Sequence, residues 1–172
     1  MLFGLFRKDP RRELVQALYA RSADASRSPW LYTVAGVPDT VEGRIESLTL
    51  HALLVMRRLK SLPAPAPDVA QDYVDTLFLH VDHGLRELGV GDTTIPKRMK
   101  KIAQGFYGRV QAYSGPLDSA DADSLAAAMV RNIPGVAAEP LAAYVLGSAG
   151  RLSGWALDDI LTRTDLFVAP GT

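Results

Sequence analysis

The sequence predicts an all-α fold: a single-domain, irregular bundle of six or seven helices. Three observations predict it. Apolar residues recur at steps of three and four in one segment after another. Proline and glycine punctuate the chain where those segments end. No two alternating segments are joined by hairpin chemistry, and no internal repeat is found. The 172 residues suffice for one domain, which at this size buries roughly 70% of its extended-chain surface. That domain is assigned to residues 10–168, with residues 1–9 as a separate N-terminal segment.

The first helix is expected from about Pro10, a residue suited to a first turn, to about Ser22. Ser26-Arg27-Ser28-Pro29-Trp30-Leu31-Tyr32 reads as an irregular connection, closed by Gly36-Val37-Pro38. Asp39 and Glu42 stand at capping-box spacing. Beyond them Val41, Ile45, Leu48, Ala52, Val55, Leu59 and Leu62 form an apolar stripe over six turns. Leu50, Leu53 and Leu54 widen it, so this helix is expected to be central. Pro63-Ala64-Pro65-Ala66-Pro67 reads as a stiff extended spacer. Asp68 and Gln71 repeat the capping signature, and Val69, Tyr73, Leu77, Val81, Leu85 and Leu88 share one face of the next helix. A fourth helix is expected from about Pro96 to Tyr113, before Gly115-Pro116. Shorter ones follow at about 119–132 and 139–150, with a last after Ser153.

Charge and composition exclude more than they suggest. Lys plus Arg and Asp plus Glu number 19 each, so net charge points neither to a nucleic-acid coat nor to an acidic tail. With no cysteine, disulfides, thiolate metal sites and a cysteine nucleophile are excluded. No apolar run approaches the ~20 residues that span a bilayer. Leu2, Phe3, Leu5 and Phe6 precede Arg7, Lys8, Arg11 and Arg12, an order opposite to that of a signal peptide. Two readings fit this segment: apolar side chains pressed into a membrane surface with the cations on anionic headgroups, or a terminus that frays or packs on the domain.

The fourth helix carries the clearest charge pattern. Between Asp92 and Asp118 there is no acidic residue, yet Lys97, Arg98, Lys100, Lys101 and Arg109 all fall there. At about 100° per residue, Ile95, Met99, Ile102, Phe106, Val110 and Tyr113 gather on one side. Lys97, Lys100, Lys101, Gln104, Gly108 and Gln111 lie opposite. Gly105 and Gly108 each cost about 1 kcal/mol relative to alanine, a cost that close approach by another backbone would explain. A solvated lysine face, with its glycines admitting a neighbouring helix of the same domain, is the competing reading.

Candidate catalytic and metal sites are weak. His80, His83 and Glu87 share a helix at steps of three and four, but their spacing is not His-Glu-x-x-His and no second helix offers a matching set. His51, inside the apolar stripe, reads as a hydrogen-bonded packing residue. Ser148 lacks the strand-turn-helix setting of a nucleophile elbow, and Gly89-Val90-Gly91-Asp92 has no following lysine to make it a phosphate loop.

Two stretches carry a family resemblance. Ser26 to Tyr32, Gly36-Val37-Pro38-Asp39-Thr40, Gly43-Arg44 and Leu50-His51 form the first. Leu85-Arg86-Glu87-Leu88-Gly89-Val90-Gly91-Asp92, Ile95-Pro96-Lys97-Arg98-Met99-Lys100-Lys101 and Phe106-Tyr107-Gly108-Arg109 form the second. Together they resemble the ubiquinol–cytochrome c chaperone family across residues 10 to 113. One departure is His80, where the family usually has an acidic residue.

The resemblance implies a non-enzymatic assembly chaperone, without catalytic residues, cofactor or metal. It would bind newly made cytochrome b, or another subunit of respiratory complex III. A small partner protein and the ribosome are further partners implied by relatives; DNA is not. The chain shows no mitochondrial presequence, so a bacterial member is expected. Its place would be cytoplasmic, with peripheral attachment to the inner face of the cytoplasmic membrane where residues 1–9 touch it. On this reading Trp30, Leu31 and Tyr32, held by Pro29 and the Val37-Pro38 turn, are candidate contacts for client or partner. Asp39, Arg44, Asp92, Lys97, Arg98, Lys100, Lys101 and Arg109 join them. The alternative is a peripheral membrane lipid-binding helical module.

Overall fold

The computed structural model describes residues 10–170, all of whose regular elements are helices. The expected membrane-touching residues Leu2, Phe3, Leu5 and Phe6 lie outside the described residues. In order the helices are α1 (Pro10–Ala25), α2 (Pro29–Thr33), α3 (Val41–Ser61), α4 (Ala66–Glu87), α5 (Ile95–Ser119), α6 (Ala122–Asn132), α7 (Ala138–Ser153) and α8 (Leu157–Thr162). The all-α expectation therefore holds, as six longer helices and two short ones. α3 is the central element, packed against α1, α4, α5 and α7. Its burial on more than one side follows from its leucines: Leu50, Leu53 and Leu54 are buried as well as Ala52, Val55 and Leu59.

Four local expectations are corrected. α2 turns Pro29–Thr33 into a short helix in place of an irregular connection. Thr40, not Asp39, caps α3: its hydroxyl accepts the Gly43 N–H at 3.1 Å, while the Asp39 carboxylate takes the Arg44 guanidinium at 2.7 Å. The proline-rich stretch is only partly a spacer, because α4 begins at Ala66 with Pro67 in its first turn. Proline is tolerated there since first-turn N–H groups have no intrahelical partner. Asp68 then stands inside the first turn, where its charge complements the helix dipole. Finally, α5 runs through Gly115-Pro116 to Ser119. Tyr113 and Leu117 are buried on either side of that pair, and α5 packs on α6; burial of this kind offsets the hydrogen bond that Pro116 cannot donate.

Two glycines explain the spacing of the Gly36-to-Arg44 segment. Gly36 has φ +70, and a Cβ there would lie 2.8 Å from the Gly135 carbonyl oxygen. The turn is pinned across the same contact, where Ala137 N–H donates to Ala35 O at 2.8 Å. Gly43 meets the returning chain, so a Cβ would fall 1.9 Å from the Pro38 carbonyl oxygen. The segment can fold onto the first turn of α3 only because position 43 has no side chain.

A polar thread runs through the core. The Ser47 and Tyr32 hydroxyls both donate to Ser26 O, at 2.8 and 2.7 Å. His51, fully buried, joins Ser47 O through Nδ1 at 2.7 Å and the Tyr144 hydroxyl through Nε2 at 2.8 Å. A carbonyl can only accept, so Nδ1 carries the proton and Nε2 accepts from Tyr144. Burial pushes the imidazole down to about 4, against a smaller upward pull from Ser47. The tail closes over this site, with Phe167 edge-on to His51 and Leu166 buried. Arg21 on α1 clasps the far end of the chain through Leu161 O, at 2.7 Å, and Arg163 O.

Candidate binding groove

The stripes of α3 and α4 are not fully covered. Two stripe positions stand exposed: Val41, 36% accessible, and Leu88, 64% accessible. Both line a groove of about 890 Å³ whose walls are α1 (Tyr19, Ala23), Tyr32 of α2, α3 (Val41, Ile45, Leu48), the end of α4 (Val81, Gly84, Leu85) and Leu88 just beyond it. Its polar margin is Ser26, Arg27, Asp39, Thr40, Arg44 and Glu87. Val41, Ile45 and Leu85 also line a second hollow of about 510 Å³, walled by Ile102, Gly105 and Phe106 of α5 and edged by Arg98, Lys101, Gln104 and Arg109. The shared residues make one trough across the first turns of α3. Its floor is apolar and its margins are charged.

Six of the sequence-nominated residues meet there. Tyr32, Asp39 and Arg44 border the larger hollow, and Arg98, Lys101 and Arg109 the smaller. Arg44 is braced from two sides, by Asp39 and by the Tyr32 ring 5.6 Å away. Arg109 is tied to Glu46, with Nε 3.0 Å from Oε2, and reaches Asn132 O at 3.3 Å. Lys97, Arg98, Lys100 and Lys101 are exposed and make no ion pair with another described residue. The cations of the α5 lip thus have no ion-pair partner among the described residues, and the Glu42 carboxylate of α3 lines the same hollow. The other nominees lie elsewhere. Leu31 has no exposure and belongs to the core. Trp30 packs against Tyr144 on the α7 side, ring centroids 5.7 Å apart. Asp92 pairs with Arg86, which also binds Asp82 at 2.7 Å and holds that carboxyl below its ordinary range.

The glycines of α5 do not serve packing within the domain. A Cβ at Gly105 or Gly108 would meet nothing within 4 Å, and the same is true of Gly84 on α4. His80 stacks on Tyr19 at 4.2 Å and bonds Gln16 at 2.9 Å, which makes it part of the α1–α4 seam. Sequence reasoning missed Tyr19, Ala23, Val81, Gly84 and Leu88 as groove residues. The available signal was Leu88, an apolar stripe residue immediately before a glycine turn.

The half-buried Arg109–Glu46 pair, 19% and 22% accessible, supplies a test of the α3–α5 wall. Replacing Arg109 with Met should cost about 2 kcal/mol, because Glu46 is left partly buried without its cation. Urea unfolding of Arg109→Met and of the Arg109→Met/Glu46→Gln pair checks it; the double variant should recover part of the loss.

Comparison with known proteins places this geometry. The model of the ubiquinol–cytochrome C chaperone family matches residues 33–167. The chain belongs to this family. The family match takes in every groove residue from Asp39 to Arg109, and Tyr19, Ala23, Ser26, Arg27 and Tyr32 lie just ahead of it. Among solved structures, the crystal structure of the Cbp3 homolog from Brucella abortus is similar: 38% identity, TM-score 0.78, covering 92% of this chain and 93% of that one. No curated protein matches the chain.

Proposed function

We propose that this chain is a non-enzymatic assembly chaperone for respiratory complex III, and that it holds newly made cytochrome b in the trough between α1, α3, α4 and α5. Family membership supports the assembly role. The carrying observation for the trough is that Val41 and Leu88, apolar positions on core-facing stripes, stand open along it. Helices normally bury such stripes against a neighbour; here a neighbour from another protein would complete the packing. Cytochrome b, built of long apolar helices, offers surfaces of that kind.

The test is genetic and biochemical. Removing the gene should lower cytochrome b and complex III while other respiratory complexes persist. A tagged copy should capture newly labelled cytochrome b, and Val41→Asp/Leu88→Asp should abolish capture without unfolding the protein. Normal complex III in the deletion strain would reject the reading.

A second reading is favoured by the α5 lip. Lys97, Arg98, Lys100 and Lys101, free of ion pairs among the described residues, suit an anionic headgroup layer, at about 1 kcal/mol per cation near the surface. No helix among the described residues is long and apolar enough to cross a membrane, so attachment through them would be peripheral. Flotation with anionic vesicles should then fall as salt rises and vanish when all four are changed to Gln. Equal flotation on neutral vesicles would count against it.

A further inference from the structure

The trough also specifies what kind of segment it takes. We infer, building on the client-holding reading above, that its occupant is an α-helix that lays a face of small residues over Gly84 and Gly105 and carries acidic side chains toward the Arg98–Lys101 lip. The charge argument comes first. On the other margins the cations have partners, Arg44 with Asp39, Arg109 with Glu46 and Arg27 with Asp24. Arg98 and Lys101 make no such pair with a described residue, and no acid occurs from residue 93 to 117. An occupant that runs across the shared floor of Val41, Ile45 and Leu85 therefore meets the Arg44–Asp39 and Arg109–Glu46 pairs and the Glu42 carboxylate along α3. Along α5 it meets the cations of Arg98 and Lys101, without ion-pair partners among the described residues.

The glycines set the distance. Gly84 lines the larger hollow and Gly105 the smaller, on two different helices. Neither has positive φ, and apart from its own helix backbone neither has an atom within 4 Å of where a Cβ would sit. The fold uses these positions neither for a turn nor for its own packing, although glycine is a poor helix former. What they provide is open backbone facing the trough. Helices approach most closely where both present small residues, the geometry that associates helices in membranes. Leucine at either position would fill the hollow and leave the fold intact.

The experiment uses the full chain and capture of newly labelled cytochrome b. Gly84→Leu and Gly105→Leu should each lower capture at least about ten-fold, with thermal midpoints no lower than wild type. Gly150→Leu, at an open helical position outside the trough, should leave capture unchanged. Arg98→Glu/Lys101→Glu should lower capture to a similar extent and remove its salt dependence. If Gly84→Leu unfolds, Gly84→Ala with Gly105→Ala reads the same effect more weakly. Full capture by folded glycine variants overturns this inference and leaves the chaperone reading standing. Failure of the wild-type chain to capture cytochrome b overturns both. A dimer that dissociates in Gly84→Leu while capture persists assigns the trough to a second copy and overturns the inference.

Discussion

Between pH 7 and pH 4.5 the folded domain should lose about 2 to 3 kcal/mol of stability, chiefly through His51. The imidazole is buried and neutral, and burial takes it from an ordinary 6.5 to about 4. In the unfolded chain it binds a proton below about pH 6.5. From there down to about pH 4 the unfolded state therefore holds more protons, and stability falls as pH falls. Above pH 6.5 the contribution is complete. The carboxyls of Asp82, Asp121 and Asp165 are held below their ordinary value by hydrogen bonds from Arg86, Ser124 and Arg163. They weaken the fold only at lower pH, outside this window. His80, also lowered by burial and by His83, adds a smaller share in the same direction. Urea midpoints at the two pH values measure the loss, and His51→Gln should flatten the dependence where His80→Gln trims it slightly. Identical wild-type midpoints would contradict the buried neutral imidazole.

Gly43→Ala should destabilise the domain by about 3 kcal/mol or more, at the upper end of what one added carbon costs in a packed site. The new Cβ would sit 1.9 Å from Pro38 O and 2.8 Å from its carbon, and both are backbone atoms that cannot rotate away. Relief requires the Gly36-to-Thr40 turn to lift from α3. That displaces Asp39, loosens Arg44 and opens the Tyr32 side of the trough. The variant should therefore lose both stability and client capture. A Gly43→Ala protein with a wild-type urea midpoint would show that the turn does not rest on this contact.

Much of the fold was legible because its signals are local. The α3 stripe names Ala52, Val55 and Leu59, all buried, and the extra leucines announce the central position. The α5 projection separates Ile95, Phe106 and Tyr113, buried, from Lys97, Lys100 and Lys101, exposed. What was illegible depends on partners distant in sequence. Nothing near Val41 says that the stripe outruns the core, and at Leu88 only the glycine turn that follows hints at it. Pro116 looks like a stop until Leu117 beyond it is seen buried in the core. Leu31 looks available for binding until α2 folds it inward. The trough was half visible: Tyr32, Asp39, Arg44, Arg98, Lys101 and Arg109 were nominated by motif and charge, whereas Tyr19 and Gly84 enter only through the packing of α1 beside α4.

The clasp of Arg21 on Leu161 and Arg163 joins residues 140 and 142 positions apart. A ribosome making this chain thus delivers the first helix long before the segment that secures it. Until α8 and the tail emerge, His51 lacks its Phe167 cover and α1 lacks its fastening. A protein proposed to guard unfinished chains would itself remain unfinished until residues 161–167 are made. Chains cut after Ser153 should be digested rapidly by protease under conditions that spare the full domain; equal resistance would show that closure comes earlier.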